Sequence, residues 1–238
     1  MEQIYSDTSV LLSYVQHWVE QNEVVLPLVN SENWDLHAGE TVESEFSERR
    51  EVRDNLYRLL LSRGQTGSAG EDTESPIESM DVADLPYVEP PPTSNDFSHF
   101  EELIEQFQTL SAGNVATIGG HEIDYQSPED NAFILREYMA EARSRTRDVN
   151  QQLTICEEEC DGELKSRLND IIDNVQDSTV LAEAVAWRYE HSDAQPDKLV
   201  TLDLRDMYNQ KMSINETISD VKTDYATLDI VRPIDIIS

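Results

Sequence analysis

The opening stretch MEQIYSDTSVLLSYVQHWVEQ, residues 1–21, changes character twice. Gln3 to Tyr5 reads as a very short strand, and a polar turn follows. Val10, Leu11, Tyr14, Val15 and Trp18 then recur at helical spacing. Asp7, Thr8 and Ser9 supply capping chemistry just before that run. Asp7 therefore stands where a strand hands over to a helix, the junction from which α/β sheets are built.

The far end of the chain repeats the alternation. DSTVLAEAVAWRYEH (177–191) predicts an amphipathic helix and KLVTLDL (198–204) a strand with a polar exit. MSINETISDVK (212–222) predicts a further helix and LDIVRPIDII (228–237) a terminal strand. Helix and strand alternating in this way require a parallel sheet.

Between these ends, EVVLPLVN (23–30) is a β-branched run of strand length, closed by an Asn-Ser-Glu-Asn turn cluster. A helix from about Glu40 to Ser62 follows, with Val42, Phe46, Val52, Leu56, Leu59 and Leu60 as its apolar stripe. From Gly64 to about Ser98 the composition turns to Gly, Ser, Pro and acid, without a sustained period, which predicts an insertion loop (64–98). A mainly helical region (99–170) comes next, with helices at Phe97 to Leu110, Pro128 to about Ile155 and Asp161 to Val175. GNVATIGGHEIDYQS (113–127) reads as a turn between them. Neither flank of the insertion carries a full sheet alone, so the expectation is one α/β domain over residues 1–238, interrupted by the insertion.

The chain carries 49 acidic and 17 basic side chains, a formal charge of −32. Self-repulsion of that size opposes compaction in dilute buffer and suits concentrated salt. Arg outnumbers Lys, the four lysines being Lys165, Lys198, Lys211 and Lys222, and the acids are spread along the whole chain. This distribution resembles that of proteins from salt-accumulating archaea. No apolar run approaches the ~20 residues of a bilayer span, and no basic stretch precedes an apolar one at the N-terminus, so the expectation is a soluble, cytoplasmic protein. Cys156 and Cys160 in CEEEC lack a second pair or a nearby His to complete a zinc site. There is no Walker loop, no GxGxxG and no HExxH.

Four segments carry a resemblance. IYSDTSVLLSYV (4–15) has an Asp leaving a strand, then Thr and Ser, then an apolar helix. ESEFSERREV (43–52) is a helix with an acid before an apolar position, and DSTVLAEAVAW (177–187) has an Asp at a helix start. VTLDLRD (200–206) is a strand ending in Thr-x-Asp. In this order they resemble the motifs of the PIN-domain ribonucleases, over roughly residues 1–62 and 170–238. The resemblance implies a three-layer α/β/α fold with a central parallel sheet. It places Asp7, Glu45, Asp177 and Asp203 at a catalytic site, with Asp7, Asp177 and Asp203 on the metal and Thr201 and Ser9 as neighbouring hydroxyls. Glu48 is the reserve for Glu45, and Asp206 a fifth acid, one place later than the family pattern. The fourth motif lacks the Asn and aromatic common around its acids.

What the resemblance implies chemically is hydrolysis of RNA phosphodiester bonds through a carboxylate-bound Mg2+ or Mn2+. Hard divalent cations take oxygen ligands, Mg2+ usually through one or two carboxylates and several waters. The family also includes toxins of toxin–antitoxin pairs, which implies an antitoxin partner and allows a homodimer. Two other readings stand beside this one: an inactive PIN-like interaction module, and an acidic helical scaffold pairing through residues 97–175. The acid excess opposes an RNA strand, but in molar salt the Debye length falls to ~3 Å and the repulsion is screened. Arg49, Arg50, Arg53 and Arg205 are the candidate RNA contacts, or partners of the surplus acids.

Overall fold

A computed structural model describes residues 2–16, 22–30, 33–66, 91–111, 115–118, 121–124, 130–191 and 198–237. The contacts divide the chain into two compact units: 1–14, 21–46 and 147–238 form the first, and 15–20 with 47–146 the second. The region read as an insertion, 64–170, contributes to both units, 64–146 to the second and 147–170 to the first.

The first unit is built on a five-stranded, all-parallel sheet. Its strands are β1 (Glu2–Ser6), β2 (Trp34–Gly39), β5 (Leu153–Cys156), β6 (Lys198–Val200) and β7 (Asp229–Val231), in the spatial order β5-β2-β1-β6-β7. Tyr5 pairs with His37 on one side and with Leu199 on the other. The fold is therefore α/β, and parallel pairing of β1 with β6 sets aside an all-helical scaffold. Between the strands run α1 (Thr8–Val15), α2 (Asn22–Val29) and the start of α3 (Glu40–Thr66). Beyond β5 come α6 (Gly162–Asn169), α7 (Val175–Glu190), α8 (Lys211–Val221) and α9 (Pro233–Ile236). Ile4, Tyr5, Leu11, Leu181, Trp187, Leu199, Ile214 and Ile230 are buried in this unit.

Several segments differ from the sequence reading. EVVLPLVN is helical, not a strand: Val25, Leu28 and Val29 are its buried positions, a helical spacing, while a strand would bury alternate residues. Trp34, Leu36 and Ala38 alternate with polar residues and form β2, which the turn cluster before it obscured. The helix beginning near Pro128 is α5 (Asp130–Gln152), and its last residues instead form β5. The terminal strand stops at Val231, and Pro233, favoured at a helix start, opens α9.

The second unit holds the rest of α3, α4 (Ser94–Ser111), the hairpin β3 (Val115–Ile118) with β4 (His121–Asp124), and most of α5. Within the segment read as a turn, Val115–Ile118 and His121–Asp124 thus pair as antiparallel strands. Val52, Leu56, Leu60, Phe100, Leu103, Ile134 and Leu135 are buried here. Asp96 accepts from Arg49 Nη1 at 2.9 Å and from Arg53 Nε at 2.8 Å. Arg53 also donates to Gln16. Both arginines thus pair with internal partners, the second of the two roles the sequence offered them. Residues 67–90 of the expected insertion loop lie outside the described residues, and its ends are helical, in α3 and α4.

At the end of β2 a methyl group on Gly39 would fall on the Glu183 carboxylate and the Tyr5 hydroxyl. Glu183 accepts from Thr41 Oγ1 at 2.5 Å, beside the start of α3, and burial raises its pKa. Gly39→Ala should cost about 1–3 kcal/mol, as overpacking does; urea unfolding monitored by Trp fluorescence checks this.

Candidate metal centre

Because the strands are parallel, their carboxyl ends share one edge of the sheet. The order β5-β2-β1-β6-β7 places the reversal of chain direction across the sheet between β1 and β6, and ligands of open α/β sheets bind beyond the strand ends at such a switch point. Asp7 follows β1, and Thr201 and Asp203 follow β6. Asp7 N–H donates to Val200 O at 3.0 Å, joining the two strand exits.

Asp7 is almost completely buried. Its Oδ1 accepts from Thr8 N–H at 2.7 Å, and its Oδ2 from Ser9 Oγ at 2.5 Å and Thr201 Oγ1 at 2.9 Å. Burial raises its pKa, and these three donors oppose the rise. Thr201 Oγ1 also accepts from Asp203 N–H at 2.9 Å, so one hydroxyl ties the two acids together. Ser9 Oγ accepts from Leu202 N–H at 3.1 Å, a second link across the same junction. One oxygen of Asp7 thus satisfies the first N–H of α1, and the other reaches across to the exit of β6.

Asp203 opens a π-helical turn, Leu204–Tyr208, closed by Tyr208 N–H to Asp203 O at 3.0 Å and Asn209 N–H to Leu204 O at 3.1 Å. Single π turns recur at functional sites. Asp203 Oδ1 accepts from the N–H groups of Arg205 (2.8 Å) and Asp206 (2.9 Å). The turn carries Asp206 back beside Asp203. Asp177 comes from the first turn of α7, where Asn174 is the cap, so capping does not explain Asp177.

Ligand oxygens of Asp177, Asp203 and Asp206 all lie within 4.8 Å of one another, the one such group of His, Cys, Asp or Glu among the described residues. Burial, then the charges of Asp7, Asp203, Glu45 and Asp206, raise the pKa of Asp177 to about 7. Three of the four acids nominated from sequence, Asp7, Glu45 and Asp203, thus act on the fourth, Asp177. Glu45 accepts from Thr8 Oγ1 at 2.8 Å. The reserve Glu48 instead pairs with Arg49, in the second unit. The group that could hold a metal brings Asp206 together with Asp177 and Asp203, and Asp7 stands beside it with both oxygens accepting from internal donors. The spacing Asp-x-x-Asp at 203 and 206 was the available signal, legible only once the turn after β6 is known to be π-helical.

Oxygen-only donors with a surplus of negative charge suit a hard divalent cation. Among the described residues the one cation paired with the triad is Arg205, 3.7 Å from Asp206 and 85% exposed. The Cys156 thiol faces His37 Nδ1 at 3.7 Å, away from this group, and burial pushes its pKa up to about 12, which leaves a neutral thiol. No known protein family, curated protein or solved structure matches the chain.

Asp177→Asn should stabilise the metal-free protein at about pH 8 by about 1–2 kcal/mol, discounting for the solvent that screens this half-buried group. The folded pKa lies above the unfolded one, so the native carboxyl is penalised in full above about pH 7, and the penalty fades as pH falls towards the unfolded value. Most of the gain should therefore vanish by about pH 5. Thermal melts in EDTA across that range check this.

Proposed function

We propose that this chain is a metal-dependent ribonuclease of the PIN type, hydrolysing RNA phosphodiester bonds. The observation that carries the reading is the Asp177–Asp203–Asp206 group, three carboxylates within 4.8 Å at the switch point of a parallel sheet. The order of the four motif segments supports it, as does the convergence of Asp7, Glu45 and Asp203 on Asp177.

In this reading Asp177, Asp203 and Asp206 hold Mg2+ or Mn2+. When bound, such an ion stabilises charge on a phosphoryl oxygen and lowers the pKa of a water. The chain's own contribution is preorganisation. Asp203 is oriented before any ligand arrives, because its Oδ1 is pinned by two N–H groups and its own N–H by Thr201. Asp7 acts through Thr201, holding the strand exits at a fixed separation. Glu45, anchored by Thr8, adds negative charge without moving. Carboxylates crowded in this way repel one another and favour a cation over an empty site. Binding to the folded chain alone would stabilise it by linkage.

The test is cleavage of a mixed RNA pool in high KCl with Mg2+ or Mn2+. Cleavage should require the metal and be abolished by Asp203→Asn and Asp206→Asn. Asp7→Asn, which acts at one remove from the metal, should lower it by about 10–100-fold. A folded native protein that neither cleaves RNA nor gains thermal stability with metal would defeat the reading and leave an interaction module in its place.

A further inference from the structure

Helix α8 ends with Lys222 as its C-cap, and the chain turns at once. Tyr225 N–H donates to Lys222 O at 3.0 Å, a turn that brings the Tyr225 ring back over the lysine before it. Tyr189, from the last turn of α7, meets that ring edge to face, with centroids 5.3 Å apart and planes at 86°. Lys222 Nζ lies 4.2 Å from the centroid of Tyr189 and 4.6 Å from that of Tyr225, so two perpendicular rings share one ammonium. Tyr225 Oη donates to Asp161 Oδ2 at 3.1 Å, and Asp161 caps α6, an anchor for the ring that does not involve the lysine.

The two rings line an open pocket of about 590 Å³, and its other charged residues are Glu158, Glu159, Glu190 and His191. Among the described residues Lys222 forms an ion pair with none of these acids, although it lines the same pocket. Glu158 approaches only His191, Oε1 to Nδ1 at 3.6 Å, and its Oε2 is sealed from solvent with no hydrogen-bond partner among the described residues. Three carboxylates against one ammonium leave the pocket net negative even with His191 protonated.

We propose that this pocket binds a linear polyamine, one ammonium of the ligand replacing Lys222 between the two rings and a second lying against Glu158, Glu159 and Glu190. Lys222 is a tethered stand-in that marks what the rings accept. An exposed cation on an aromatic face is held weakly, so the lysine can yield. Its advantage is the tether, which acts as a high local concentration. A polyamine offsets that advantage with its second charge, because the acids that Lys222 leaves unpaired lie in the same pocket. A metal ion suits the pocket less well, since the one close-set group of ligand atoms among the described residues is the Asp177–Asp203–Asp206 triad. The inference does not depend on the ribonuclease reading.

The experiment is calorimetric titration of the full chain with putrescine and spermidine in concentrated KCl, where diffuse attraction to the acid excess is screened. Butylamine, with one ammonium, is the comparison. Saturable binding of both polyamines is expected. Lys222→Gln should tighten it several-fold by removing the tethered competitor, whereas Lys211→Gln, the same charge change at the other end of α8, should not. Tyr189→Leu should weaken binding several-fold, and Tyr189→Phe, which keeps the ring, should not. Glu158→Gln combined with Glu190→Gln should weaken putrescine more than butylamine. Unchanged or weaker binding in Lys222→Gln, equal tightening in Lys211→Gln, or no saturable binding by the native chain overturns the site. So does a Tyr189→Leu chain that is folded by circular dichroism and binds as tightly as the native one.

Discussion

The hydrogen bond from Thr201 Oγ1 to the buried Asp7 carboxylate is the constraint on which the first unit's functional edge depends. A buried carboxylate is tolerated only when its oxygens are satisfied, and here three donors from two separate strand exits do so. The same hydroxyl then accepts from Asp203 N–H, so the arrangement that makes Asp7 affordable also aims Asp203. Stability and site geometry are in this way one network. Perturbing any hydroxyl in it would be felt by both.

The positions of the strand–helix junctions were legible because each pairs a short apolar run with a polar exit. β1, α1, α7, β6 and α8 follow from periodicity and turn chemistry at Asp7, Asp177 and Thr201. The errors fall where a short apolar run suits either structure. Residues 23–30 are rich in valine and leucine, and only tertiary burial of Val25, Leu28 and Val29 decides for the helix. β5 was hidden as the tail of a long helix, since LTIC follows twenty-three helical residues without a break in polarity. At the site, the four nominated acids converge, but which of them offer oxygens to a ligand depends on hydrogen bonds that no spacing encodes. Asp7 is withdrawn by its donors, and Asp206 is brought in by a π turn.

Charge is distributed with a similar economy. Three of the four lysines lie over aromatic rings, Lys198 over Trp34, Lys211 over Tyr208 and Lys222 over Tyr189 and Tyr225. Arg49 and Arg53 are spent on one acid, Asp96. These few cations neutralise little of the excess carried by the 49 acids. Salt that screens them therefore acts on the whole fold, whereas the hydroxyl-bound acids at the strand exits are shielded from it by burial.

Asp7 and Thr201 are separated by 194 positions in the chain. At ~5–20 residues per second of synthesis, Asp7 waits about 10–40 s before the hydroxyl that completes its surroundings exists. Throughout that interval β1 lacks β6, and Asp177 and Asp203 have not met. Any activity housed at this edge is consequently withheld from a growing chain until Asp206 has been added.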